Sequence, residues 1–172
     1  SIGGKDSMSG TFEHIHVPPT LAAFAVDVLP ADRAVSAEFK YADNKVYAVP
    51  CRKDKMDLPV FDQLNKNFAK ISALTAAKKV FSARSVGMGG IAAAITKLCI
   101  GNMVGFKFTK QVTREELFCP DYGTILLEVA AGSDIEQQLA GTGCYELGVT
   151  TAVPSIVCGN VVVSLKQAVE AY

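Results

Sequence analysis

At 172 residues the chain is long enough for one hydrophobic core, or for a complete domain with a piece of another, and folding would bury roughly 70 % of its unfolded surface. Hydrophobic residues make up 49 % and charged residues 20 %, and 17 basic side chains balance 17 acidic ones. That neutrality argues against a non-specific nucleic-acid or membrane-surface binder, which carries a basic excess, and no apolar run approaches the ~18 residues of a membrane span.

The chain opens on "SIGGKDSMSG", with no initiator methionine, and is expected to begin inside a larger polypeptide. Adjacent glycines let backbone approach a ligand and offer N–H groups to an anion. Lys5 brings a point charge suited to phosphate, Asp6 an acceptor for a hydroxyl or a hydrated Mg²⁺, and Ser7 and Ser9 short polar groups. The strip is not a Walker loop, whose glycine-to-lysine spacing differs, and a solvated polar turn explains the same residues. "EHIHV" follows, with His14 and His16 alternating as on a solvated sheet face. Pro18 and Pro19 then lead into an apolar run read as a strand over 21–29.

"DNKVYAVP" predicts a strand at 45–49 between the turn signal Asp43-Asn44 and Pro50. The charged loop "RKDKMDLP" leads to the best helix pattern in the chain. Asp57 is placed as its cap, Pro59 in its first turn, and Phe61, Leu64, Phe68, Ile71 and Leu74 as a buried stripe, with Lys66, Lys70 and Lys78 facing water. A short strand is expected at 79–83, then a helix from about 88 to 100 stopped by Gly101. Strands at 103–108 and 124–130 follow. Ser133 and Glu136 have the spacing of a capping box for a helix at 134–140, closed by Gly141. "CYELGVTT" and "SIVCGNVVVSL" read as strands, the second broken at Gly159-Asn160, and Ser164 and Gln167 form a weaker capping box for a terminal helix. Alternating strands and helices make the fold class α/β (α+β), a mixed β-sheet with packed helices.

Cys51, Cys99, Cys119, Cys144 and Cys158 are odd in number and include no C-x-x-C pair, which reads as reduced thiols of a cytoplasmic protein and not as a disulfide framework. None lies in an activating context, and neither histidine is paired with a cysteine cluster, so no metal site is expected from them. The second glycine-rich stretch, "RSVGMGGI", opens a helix. Its glycines seat either a phosphate at the helix N-terminus or the helix itself against a strand, and the residues alone leave both open.

Taken in order, "GGKDSMS", "PPTLAAFAV", a helix, "SARSVGMGGIAAAITK" and "LFCPDYGTILLEV" resemble phosphoribosylformylglycinamidine synthase, the glutamine-dependent amidotransferase of purine biosynthesis. The resemblance covers nearly the whole chain and is to the second of that enzyme's two duplicated synthetase halves. It implies that residues 1–30 are the tail of an N-terminal subdomain. Residues 31–172 would be a C-terminal subdomain like that of aminoimidazole ribonucleotide synthetase, partly ferredoxin-like in path. Selenophosphate synthetase shares this fold. The implied activity is an ATP-dependent carbon–nitrogen ligation using Mg²⁺, with formylglycinamide ribonucleotide as the small-molecule substrate and glutamine as amide donor. The implied partners are the first synthetase half and a glutaminase domain, with no nucleic acid and no membrane. Lys5 takes a catalytic role on the phosphates in this resemblance, where shorter relatives carry a metal-binding asparagine. Gly4 approaches the nucleotide and Ser7 the substrate. In the larger relatives the second stretch reads H-D-x-S-D-G-G-L and serves an auxiliary nucleotide–Mg²⁺ site. Here Ser85, Gly87 and Met88 replace its three polar ligands before Gly89 and Gly90, so Ser85, Gly87, Gly89 and Gly90 remain as an auxiliary phosphate-binding set without a metal ligand. Alternatives are another synthetase of the same superfamily, or a non-catalytic docking subdomain. On its own the chain is expected to be inactive and to self-associate through surface that missing subdomains would cover.

Overall fold

A computed structural model describes residues 10–18 and 24–172. The chain divides into two compact units, Ser1–Ala31 and Asp32–Tyr172. In the first, β1 (Gly10–Phe12) and β2 (Ile15–Val17) form an antiparallel hairpin with Thr11 opposite His16. Glu13 takes φ +51° at the turn. His14 lies in that turn and His16 on β2, where its Nδ1 sits 3.1 Å from the Thr11 hydroxyl, so the two histidines do not share a strand face. The strand expected over 21–29 is not formed at 24–29, which carries no regular structure and leaves Phe24, Val26 and Val28 exposed. Residues 21–23 lie outside the described ones. Strand-forming residues make a strand only where another strand accepts their N–H and C=O groups, and 24–29 has no such partner among the described residues.

The second unit runs β3 (Lys45–Val49), α1 (Phe61–Ala76), β4 (Ser82–Ser85), α2 (Gly90–Ile100), β5 (Gly105–Phe108), α3 (Arg114–Phe118) and β6 (Ile125–Val129). It continues with α4 (Ile135–Gln138), β7 (Tyr145–Thr151), β8 (Ser155–Cys158), β9 (Val161–Ser164) and α5 (Leu165–Ala171). The seven strands form one mixed sheet ordered β4-β6-β3-β7-β5-β8-β9, in which only β5 and β8 pair in parallel. The path β3-α1-β4-β6-α4-β7 with spatial order β4-β6-β3-β7 is the ferredoxin-like split βαβ arrangement. Into it α2-β5-α3 is inserted, and β5, β8 and β9 extend the sheet beyond β7.

The two-residue period of the strands splits the core into two layers. Val46, Ala48, Leu126 and Leu147 face Ile91, Ala94, Ile95 and Leu98 of α2 and Leu165 of α5. Tyr47, Val49, Leu127 and Val129 face Ile71 and Leu74 of α1 and the α4 residues Ile135 and, just beyond, Leu139. Each Val, Leu or Ile side chain among these, buried completely, contributes roughly 1.5–3 kcal/mol of transfer free energy.

Helix ends depart from expectation for identifiable reasons. Pro59 pairs with Lys53 in an isolated bridge and Asp57 takes φ +61° in the loop, so α1 starts two residues after Pro59, with Val60 at its cap and no side-chain cap bond. Its buried face is Asn67, Ile71 and Leu74, while Phe61 and Phe68 are exposed. Asn67 occupies the core-facing turn because its Nδ2 holds the Pro50 carbonyl at 3.0 Å. Lys70 is not a solvated face residue: its Nζ donates to the Gln138 and Ala140 carbonyls at 3.2 and 2.7 Å, closing the C-terminal end of α4. Gly101 has right-handed backbone at φ −60°. It is glycine there because a Cβ would stand 2.5 Å from Glu38 Cβ. The Ser133–Glu136 capping box does not form; Asp134 is the N-cap, and the Ser133 hydroxyl is buried without a hydrogen-bond partner. The Ser164–Gln167 box does form, as does one at Thr113–Glu116 that opens α3.

Candidate ligand-binding edge

Register brings the second glycine-rich stretch to one edge of the sheet. Ile125 pairs with Val49 on one side and Ser85 on the other, and Ala48 pairs with Tyr145. The loop after β3, the turn after β4 and the turn before β6 therefore leave the sheet side by side. The first two follow strand carboxyl ends and the third precedes the amino end of β6, as antiparallel pairing requires.

Thr124 ties these three segments together. Its hydroxyl donates to Asp121 Oδ2 at 2.6 Å and accepts from Cys51 N–H at 2.9 Å, and its carbonyl accepts from Val86 N–H at 2.9 Å. Asp121 also faces the Lys53 ammonium at 3.9 Å, which in turn reaches Asp57 at 3.3 Å. Gly123 holds φ +93°, and a Cβ there would lie 2.7 Å from Cys51 Sγ, so only glycine lets the "PDYG" turn close on the β3 loop. Burial, with the Asp121 carboxylate adding to it, raises the Cys51 thiol above its ordinary range against the opposing pull of Lys53. It is thus a packing thiol, not a nucleophile.

Ser85 and Met88 are exposed at the rim, and Gly87 lies beside the Tyr122 ring. Gly89 is the N-cap of α2 at φ +80°, with no side-chain cap bond. Gly90 follows at φ +64°, and a Cβ on it would stand 2.4 Å from the Leu117 carbonyl oxygen. The Gly90 N–H donates to the Gly87 carbonyl at 3.0 Å. Gly90 therefore has a complete packing explanation in the approach of α2 to the end of α3. Of the four residues singled out here, Ser85 alone brings a side-chain oxygen. Residues 85–90 supply no carboxylate for Mg²⁺, so they do not fit a metal site, and among the described residues no group of three His, Cys, Asp or Glu side chains is placed to hold a metal ion. The Ser85 hydroxyl is the one side-chain oxygen that stretch offers to a ligand, while the neighbouring loop's Lys53 is already paired with Asp57 and Asp121.

Lys5, Gly4 and Ser7 lie outside the described residues. Sequence reasoning did not single out Thr124, Asp121 or Lys53. The signal was the "PDYG" turn, whose proline, aspartate and glycine mark a reversal. Nothing local to it announces that Thr124 bonds to Cys51, 73 positions away.

No family model matches this chain, and no curated protein matches it in sequence. Solved structures do. PurL from Thermotoga maritima complexed with AMPPCP superposes with a TM-score of 0.63 at 14 % identity, covering 79 % of this chain and 27 % of that one. The chain has the PurL fold. The same PurL complexed with FGAR gives a TM-score of 0.62 at 12 % identity, over 79 % of this chain and 29 % of PurL. The hydrogenase maturation protein HypE, in complex with ATP, gives 0.56 at 13 % identity, over 74 % of this chain and 50 % of HypE. The chain thus spans a little over a quarter of the PurL chains it matches. The expected aminoimidazole ribonucleotide synthetase-like fold, with its ferredoxin-like path, is the one observed.

Proposed function

We propose that this chain is part of an ATP-dependent synthetase that converts formylglycinamide ribonucleotide to formylglycinamidine ribonucleotide, with ammonia from glutamine. The reading is carried by the inserted ferredoxin-like sheet that superposes on PurL chains complexed with AMPPCP and with FGAR. In it, residues 1–30 belong to a preceding subdomain, residues 31–172 form the C-terminal subdomain, and other domains of the cytoplasmic enzyme complete the cleft and release the ammonia.

The chemistry asks for a better leaving group on an amide carbon. Phosphorylating the amide oxygen provides one, and ammonia then displaces phosphate. Catalysis of such a transfer rests on positioning and on cationic charge around the transferring group. Lys5 supplies that charge, Gly4 lets backbone reach the nucleotide, and Ser7 holds the ribonucleotide. Mg²⁺, when bound with ATP, would neutralise phosphate charge through ligands outside 85–90. Ser85, Gly87, Gly89 and Gly90 form a reduced phosphate-facing rim.

Two measurements test this. The 172-residue chain alone produces no ATP-dependent formylglycinamidine ribonucleotide, and turnover by it overturns the reading. In the longer enzyme, Lys5→Ala lowers the rate of ATP use by at least about tenfold while leaving the melting temperature within about 2 °C. A collapse of melting temperature at unchanged rate assigns Lys5 to structure instead.

One observation favours a second reading, a docking subdomain without a ligand. Gly90 is fully explained by packing on α3 and its N–H is already bonded. On that reading, Lys5→Ala and Ser85→Ala both leave the rate unchanged.

A further inference from the structure

The two edges of the seven-stranded sheet differ. Along β4, the Ala83 N–H donates to the Ser36 carbonyl at 3.3 Å, so a neighbouring segment covers that edge. Along β9, among the described residues, no backbone bond reaches Val161, Val162 or Val163 from outside the β8–β9 ladder, and all three side chains are exposed. Sheet edges are ordinarily blunted by charge, proline or a bulge. β9 has none of these: its pairing with β8 is regular, and the chain carries no charged residue between Glu146 and Lys166.

The hairpin fixes which groups face outward. Gly159 and Asn160 form a two-residue turn with φ +56° at Gly159, so the closing pair Cys158–Val161 exchanges hydrogen bonds and Val157–Val162 does not. The N–H and C=O of Val162 therefore point away from β8. Ser164, the next outward-facing residue, already gives its N–H to Gln167 Oε1 at 3.3 Å. Val162 is left as the centre of an open edge.

We propose that two copies of this chain associate through β9, antiparallel about a two-fold axis that passes beside Val162. A two-fold contact presents the same patch from both sides. With Val162 opposite Val162 of the second copy, the two residues exchange both backbone hydrogen bonds, and Val161 of each copy stands across from Val163 of the other. An uncharged, apolar strand matches itself better than it matches a charged partner, and the chain's formal net charge of +0 sets up no repulsion between copies. The contact is small, so the dimer is weak and forms by mass action. This inference does not depend on the ATP reading.

Sedimentation velocity of the 172-residue chain over a roughly hundredfold range of concentration shows a reversible monomer–dimer equilibrium, and Val162→Lys and Val162→Pro keep the chain monomeric throughout. The proline removes the outward N–H without taking a bond from β8. Met56→Lys, which removes an even more exposed apolar side chain elsewhere, leaves the dimer intact. On the unmodified protein, hydrogen exchange at the Val162 amide slows as concentration rises, which needs no variant to fold. A chain monomeric at every concentration, a dimer that both Val162 variants preserve, or a Val162 amide whose exchange ignores concentration overturns the proposal.

Discussion

Glu128 is 1 % exposed, yet its carboxylate is fully occupied. Oε2 accepts from Lys40 N–H at 2.9 Å and the Ser82 hydroxyl at 2.8 Å; Oε1 accepts from Tyr41 N–H at 3.1 Å and Asn44 Nδ2 at 2.8 Å. A buried carboxylate is tolerable only with donors of this kind around it. Its work is to pin the 40–44 segment against β4 and β6. Glu128→Ala leaves four donors without their acceptor, two of them buried, and lowers stability by on the order of 3 kcal/mol, read from the urea midpoint. A midpoint shift worth less than about 1 kcal/mol would mean that water replaces the carboxylate easily. In the sequence, "ILLEV" shows a lone acid in an apolar run. Its partners lie 46 to 88 positions away and are invisible there.

At the scale of elements, capping separates local from tertiary control. Ser133–Glu136 and Thr113–Glu116 have the same spacing, but only the second forms both bonds, with Glu116 N–H 3.1 Å from the Thr113 hydroxyl and Thr113 N–H 2.8 Å from the Glu116 carboxylate. The Thr113 N–H, and after it the Thr113 hydroxyl, hold the Glu116 carboxyl below the usual range. In the first, Glu136 instead accepts from the Tyr47 hydroxyl at 2.9 Å, and burial of Ser133 leaves its hydroxyl unbonded. Thr113→Ala therefore costs about 1 kcal/mol of unfolding free energy, whereas Ser133→Ala is neutral or stabilising. Equal losses at both sites, measured by thermal or urea unfolding, would contradict this assignment.

For the whole molecule, burial of protonatable groups sets the alkaline limit of stability. Burial alone pushes the Cys99 thiol from its ordinary 9.0 up to about 12. Burial is also the leading cause that raises the phenols of Tyr47, with Glu136 adding, and of Tyr145, with Glu116 and Asp121 adding. Each folded group keeps its proton to a higher pH than the unfolded chain does. Above about pH 9 the unfolded state thus binds fewer protons, and stability falls as pH rises. The melting temperature drops from about pH 9 toward about pH 12, and Cys99→Ala makes that slope shallower. An unchanged slope would remove Cys99 from the account. Exposed Cys119, by contrast, alkylates in the native protein while Cys99 reacts only after unfolding.

Local chemistry by itself determined the elements whose signals need no distant partner. The β3 run "KVYAV" alternates between two faces, the Gly159-Asn160 turn makes a hairpin, and Ser164 caps α5. The ordered motifs also pointed to the fold that superposition with PurL shows. The tertiary structure alone decided which apolar run found a ladder, why 24–29 did not, and which capping box closed. It also decided that Thr124 would join three loops at one sheet edge. These outcomes depend on hydrogen-bond partners and close approaches supplied by residues remote in sequence, and no window of neighbouring residues contains them.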